Sequence, residues 1–468
     1  MCVSCFVYRH TRNSHILQKN AEYLYMWYFF CIFAGCYGTG VVLMPLQKSV
    51  SLHFVEYMQN TYRYSILLLI GVLMFPLWGR GVLAQNGSSS PYSRYGYGDL
   101  NDNVPNTYRA MGGVGLGMRS NKVINPAQPA SFTAGDSLTF MFDLAASAMW
   151  STYADASGRR NKANGNLEYL SLQFPLYKRY VAFSAGVLPY SSVGYGLAVA
   201  DSIRSDYHYV QSYVGAGGIS QVYGGLSFNI CDWVALGANV YYMFGTTTNT
   251  RTLTFVETGL RTISQESTLR VSSVRFRYGA QFFHTFGDHT IVLGGVFENK
   301  QKMSSVSYTT IETTTADTVS VIEGGFELPM VYGGGISYGW ADRLTLAFDY
   351  QRQCMASALY EGSTNRFRDR SRYSAGVEYR HNPNGRRYYE RMLWRCGVNV
   401  ADSYALEGKA PDITASIGMG FPLRTAATVF NVTLEYTHRG DKTTLQENSL
   451  RLTINAAISE NWFFKRKL

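Results

Sequence analysis

The sequence predicts an all-β fold, a transmembrane antiparallel β-barrel of about 14 strands with an amino-terminal hatch or plug inside its lumen. Three observations point there. Polar and apolar residues alternate through segments of about ten residues separated by turns. The composition is 46% hydrophobic and 15% aromatic but only 16% charged, against about 25% charged in soluble domains. A secretory leader precedes the alternating region.

The first segment, 1–57, contains an apolar run from Tyr23 to Leu46, broken by Gly35, Gly38 and Gly40. Either 1–57 is an upstream extension outside the mature fold, or Tyr23–Leu46 is a membrane helix. Residues 58–84 read as a signal peptide. Arg63 precedes the apolar run Ile66–Phe75, and Val82-Leu83-Ala84 supplies a small-residue exit before Gln85. That core is shorter than the about 20 residues a membrane helix needs.

Residues 85–136 are the expected hatch. In Arg109–Ala130, Gly112, Gly113, Gly115 and Gly117 separate Met111, Val114 and Leu116, and Asn125-Pro126 and Pro129 then break the chain twice more. Each glycine costs about 0.5–1 kcal/mol of order relative to alanine. Four so close together imply bare backbone packed tightly inside something.

Residues 137–468 are the expected wall. Leu344, Leu346, Phe348 and Tyr350 alternate with Thr345, Ala347, Asp349 and Gln351. The same period of two runs through Val274–Phe282, Tyr373–Arg380, Phe430–Thr437 and Leu450–Ala457. A soluble sandwich or propeller alternates too. Export, the lack of long helical patterns and strands expected to be uniformly near the bilayer-crossing length favour the barrel. A sheet in lipid must close, because open edges leave peptide groups unsatisfied. Charges are costly against lipid, so Arg275, Arg277, Asp349, Glu378, Arg380, Glu435 and Arg451 are expected to face the lumen and pair around the plug.

Three further segments are singled out. Pro189 cannot donate to a ladder and marks either a wall kink or a strand end. Ser212–Gly225 is a second glycine-rich stretch, read as a loop folded into the lumen. The ending Glu460–Leu468, with an aromatic cluster at Trp462, looks like a carboxyl-terminal strand of the kind that barrel-assembly machinery recognises. It should pair with a first strand near Leu138–Ala148.

Composition also excludes partners. The formal charge is +10, yet no run of Lys or Arg or basic helix suggests nucleic acid. Cys2 and Cys5 lack the second pair that a zinc site needs, so no metal is expected. Gly113–Gly117 has neither the strand before it nor the helix after it of a dinucleotide loop, so no cofactor is implied. The histidines are dispersed, and no GxSxG elbow accompanies Ser374 or Ser416, so the chain is not read as an enzyme.

The glycine-rich Ala110–Gly115, the tripeptide Asn125-Pro126-Ala127 and the alternating wall resemble the FadL/TodX family of outer-membrane hydrocarbon transporters. That resemblance implies a 14-stranded barrel in the outer membrane of a Gram-negative bacterium, plugged by the hatch and in contact with membrane lipid. It further implies passage of small hydrophobic compounds such as long-chain fatty acids, with release through a lateral opening at a kinked strand. Gly112, Gly113, Gly115, Gly117, Asn125, Pro126 and Ala127 are then gating candidates, and Pro189 the wall-kink candidate. The alternative is a non-transporting barrel that serves as scaffold or partner in protein secretion or surface attachment.

Overall fold

A computed structural model describes residues 88–468 apart from 156–157, 204–206, 256–261, 313–316, 407–410, 424–427, 441–444 and 462–468. The expected extension, the signal peptide, the start of the hatch at Gln85 and the cluster at Trp462 lie outside the described residues.

A two-residue strand, β1 (Asp99–Leu100), precedes the wall, which opens with β2 (Thr139–Asp155), β3 (Gly158–Tyr177), β4 (Val181–Ile203), β5 (Tyr207–Cys231), β6 (Val234–Phe255), β7 (Ile263–Phe286) and β8 (His289–Glu298). Four short strands follow, β9 (Gln301–Lys302), β10 (Ser304–Glu312), β11 (Asp317–Glu323) and β12 (Glu327–Leu328). The wall resumes with β13 (Val331–Trp340), β14 (Leu344–Gln353), β15 (Arg370–Tyr379), β16 (Leu393–Ala401), β17 (Asp412–Pro422), β18 (Val429–Gly440) and β19 (Gln446–Asn461). Every wall strand pairs antiparallel with its neighbour, β8 pairs with β13, and β19 pairs with β2 from Thr139 to Ala154. The result is a closed barrel of 14 strands.

Alternation decides which side chain faces which way, because successive residues of a strand point to opposite faces. In β14, Ala347 and Asp349 are buried while Leu346 and Phe348 are exposed on the lipid side. Trp233, Trp340 and Trp394 are exposed at one rim, where amphipathic rings suit a membrane interface.

The strands are not uniform in length. β4, β5, β6 and β7 contain 23, 25, 22 and 24 residues, whereas β13, β14 and β15 contain 10 each. The expectation of ten-residue strands throughout fails on this side for a physical reason. Beyond the bilayer-crossing part, apolar outward residues give way to threonine, as in Thr246–Thr254, and β-branched residues keep pairing in water. Upper β7 exchanges β8 for β10 and carries the β10–β11 hairpin.

Ser212–Gly225 is not a lumenal loop but the middle of β5, paired on both sides. Its glycines let neighbours come close. Gly217 has φ +111°, and a side chain there would strike the Thr246 carbonyl.

Candidate functional site

The segment from Ser88 to Asp136 meets the inward face of nearly every wall strand. Near its start, Ser90 Oγ donates to Glu447 on β19 (2.5 Å). The Gly112 amide donates to Ser416 on β17 (2.9 Å). On β13 and β5, Ser337 and Ser227 donate to the carbonyls of Gly117 and Ala130 at 2.7 and 3.0 Å. On β3, Gln173 donates to Phe132 O at 2.8 Å.

Gly112, Gly113, Gly115 and Gly117 each lie against the wall or against other residues of the segment itself. Gly112 is the tightest. It has φ +71° and packs on the backbone of Val398, while Gly376 and Gly397 leave room for Met111 opposite. Gly117 lies on Gly335 and Ile336. The amides of Gly115 and Leu116 donate to Asp349 Oδ2 at 2.5 and 2.7 Å, and that of Gly117 to Oδ1 at 3.3 Å. One wall carboxylate thus gathers three consecutive amides, a small anion nest turned inside out.

Asn125-Pro126-Ala127 ties that turn to the opposite wall. Asn125 Nδ2 donates to Gly115 O (2.7 Å). The Pro126 carbonyl accepts from Asn239 and Tyr241, both at 3.0 Å, and that of Ala127 from Arg277 at 3.2 Å.

Among the described residues, four clusters of opposite charge stand in the interior beside the Glu378–Arg395 pair. Arg109 bridges Glu168 at 2.9 Å and Glu435 at 3.1 Å. Asp102 meets Arg370 and Arg372, each at 2.8 Å. Arg439 joins Asp99 at 2.8 Å and Asp412 at 3.0 Å. Arg275 and Arg277 both close on Glu298. Burial alone would raise the Asp102 carboxyl, but the two guanidiniums outweigh it and hold the group well below the usual carboxylate range. Burial opposes the Arg109 charge, and Glu435 and Glu168 more than restore it.

Of the wall charges expected inside, Arg275, Arg277, Asp349 and Glu435 are buried. Glu378 pairs with Arg395 at 2.6 Å. Arg380 lies just past β15 and donates to the Asp342 carbonyl at 3.0 Å. Arg451 stands opposite Glu435 in the register but reaches Met149 Sδ at 3.7 Å, because Glu435 is held by Arg109. Sequence reasoning passed over Asp102, Arg109, Glu168, Glu298, Arg370, Arg372 and Arg439. Glu168 stands between Leu167 and Tyr169 within β3 and Glu298 closes the apolar β8, and a carboxylate among apolar residues was the available signal.

Among the described residues, the wall is interrupted beside this segment, between β3 and β4. β3 and β4 pair only from Tyr177↔Val181 to Leu170↔Val187. Above that point β3 continues on β2 and β4 continues on β5, and among the described residues the facing edges of the two strands do not pair. Pro189 stands inside β4, two residues past the last pair, where the β4–β5 register shifts between Pro189 and Ser191. The inner segment covers the opening from within. Asp99 and Leu100 pair with Ser192 and Ser191, and the Asn101 amide donates to Tyr190 O at 2.8 Å. The cleft left there is lined by Asn101, Val104, Pro105, Glu168, Leu188 and Pro189.

Above the opening, the inward face of β4–β7 is apolar and filled. Tyr97 is 1% exposed among Tyr190, Ile219, Met243, Leu269, Val271 and Phe326. Its hydroxyl donates to Glu327 O at 3.0 Å. Tyr97 stands between Gly96 and Gly98, with φ of +54° and +90°. The Tyr404 hydroxyl holds this turn through the carbonyls of Tyr95 and Gly98, each at 2.6 Å.

A family model described as BamG matches residues 66–468, most of the chain, which therefore belongs to that family. Among solved structures, the chain is similar to the toluene transporter TbuX of Ralstonia pickettii, at 15% identity and TM-score 0.51, over 76% of this chain and 98% of that one. It is similar to the toluene transporter TodX of P. putida at 13% identity and TM-score 0.51, over 78% of this chain and 100% of that one. A FadL homologue of Pseudomonas aeruginosa matches at 11% identity and TM-score 0.51, over 78% and 99%. At such identities the likeness is one of fold. A search of curated proteins found no match.

Proposed function

We propose that this BamG-family barrel lies in the outer membrane of a Gram-negative bacterium and passes small hydrophobic compounds, such as long-chain fatty acids or single-ring hydrocarbons, sideways into the membrane. The observation that carries the reading is the loss of β3–β4 pairing beside Pro189. An apolar molecule moving down the β4–β7 face would meet Tyr97 and then the cleft at Leu188 and Pro189. The segment 85–136 acts in this reading as a hatch, with Gly112–Gly117 and Asn125–Ala127 as its movable joint. A ligand shifts such a joint only by binding its two states unequally. The neighbours TbuX and TodX, described as toluene transporters, support a hydrophobic cargo.

A second reading is a scaffold for protein assembly, favoured by the family name, which points to barrel-assembly machinery, and by the ion-paired, filled interior. The test is mass spectrometry of compounds extracted from the purified protein, with uptake of labelled toluene and oleate by cells with and without it. Bound apolar compound and protein-dependent uptake support passage. Absence of both, beside a stoichiometric assembly partner, supports the scaffold.

A further inference from the structure

We infer that the connection between β15 and β16 is a docking knob for an acidic protein surface on the periplasmic side. The inference depends on the barrel lying in an outer membrane and is independent of whether it passes hydrophobic compounds.

In outer-membrane barrels the short turns face the periplasm. Here the rim of short turns is that of 178–180, 232–233, 287–288 and 341–343. The connection 380–392 belongs to the same rim but is much longer, and its extra length is folded rather than slack. The Asn382 amide donates to Glu390 O at 2.9 Å, and that of Gly385 donates to Asn382 O at 3.2 Å. Asn382 Oδ1 accepts from the Asn384 amide at 3.1 Å. Tyr388–Arg391 forms a helical turn.

This bracing sorts the charges. Glu390, the sole acidic residue of the connection, folds back onto Gly385 and occupies the space a Cβ would need there. Arg386, Arg387, Tyr388 and Tyr389 are left exposed. Two of the guanidiniums are already oriented, Arg387 by donating to the Tyr389 hydroxyl at 3.1 Å and Arg391 by lying 5.6 Å over the Tyr388 ring.

Tyrosine and arginine are the residues that dominate protein–protein contacts. Guanidiniums match carboxylates with a fixed two-donor fork, and fixing them beforehand lowers the entropy lost on contact. A fluid layer of lipid headgroups gains nothing from such fixing, so the arrangement favours a shaped, carboxylate-bearing protein surface over anionic lipid.

The test uses the full chain in nanodiscs of neutral lipid and a fluorescent peptide of alternating Glu and Phe as probe. Arg386→Glu with Arg387→Glu is expected to weaken binding at least tenfold, and Tyr388→Ala with Tyr389→Ala to do the same without changing charge. Arg386→Lys with Arg387→Lys, which keeps charge but not the fork, should fall between. Lys178→Glu with Arg343→Glu, matched in charge on the same rim, should bind as the parent does. Two results overturn the inference. One is equal loss in the matched control, which reduces the effect to net charge. The other is loss of binding to vesicles containing phosphatidylglycerol in the knob variants while peptide binding stays unchanged, which makes the knob a lipid contact. Heat-dependent gel mobility identical to the parent shows that the variants are folded.

Discussion

The two sides of the barrel interior are built on different physics. Along β4–β7, long strands enclose an apolar filling of Tyr97, Ile219, Met243, Leu269 and Phe326. Along β15–β19, shorter strands meet the inner segment through Arg370, Arg372, Glu435 and Arg439. Apolar packing is non-directional and tolerates a guest of similar shape. Ion pairs with hydrogen-bonded geometry fix one position and penalise any departure, since a separated partner is left buried and uncompensated. Ion pairs therefore anchor the inner segment on the β15–β19 side, whereas the turn at Tyr97 rests on apolar packing and is where the segment can yield.

That contrast can be broken experimentally. The largest effect is expected from Tyr97→Ala, which empties the apolar side. Loss of a large buried aromatic costs about 3–5 kcal/mol. Unfolding by urea in lipid vesicles should show that loss equally at low and high salt; strong salt dependence would mean that the filling is held electrostatically.

Asp102→Asn should cost less, about 1.5–3 kcal/mol, the range for hydrogen bonds to charged groups, and the cost should depend on pH. The folded-state Asp102 carboxyl is held below its unfolded value of about 3.9. Its contribution is thus present at neutral pH and is lost as pH falls through the folded value. Parent and variant should differ at pH 7 and converge in strong acid, and a constant gap between their unfolding curves would remove Asp102 from the anchor.

Pro189→Ala should change stability least, by under about 1 kcal/mol. It restores a backbone donor beside the interrupted pairing, so its expected effect is reduced uptake of labelled hydrophobic compound. Uptake equal to the parent would separate the kink from passage.

Much of this architecture was legible in the residues. Leu346 and Phe348 against Ala347 and Asp349 give the two faces of β14 directly, because alternation is a local property of a strand. Closure and the inward placement of Arg275, Arg277 and Glu435 follow from what lipid forbids. The lengths of β4–β7 were not legible, since threonine-rich sequence serves a strand as well as a loop. Glycine in Ser212–Gly225 was misread for a related reason: it permits a turn, and it equally permits a neighbouring strand to press close. Where pairing between β3 and β4 ends is a non-local fact, and Pro189 was its only local trace. Arg370 lies 268 residues from Asp102, and the partners of Arg109 lie 59 and 326 residues away, beyond the reach of any spacing rule.

The seam at which β19 meets β2 has one more consequence. The last wall strand supplies 16 residues to that seam, and it also carries Glu447 and Asn455, which hold Ser90 and Asn106. Until it arrives, the cylinder is an open sheet with two bare margins and a half-tethered interior. A truncation ahead of Gln446 should therefore lose enclosure and internal order together, rather than one strand's share of either.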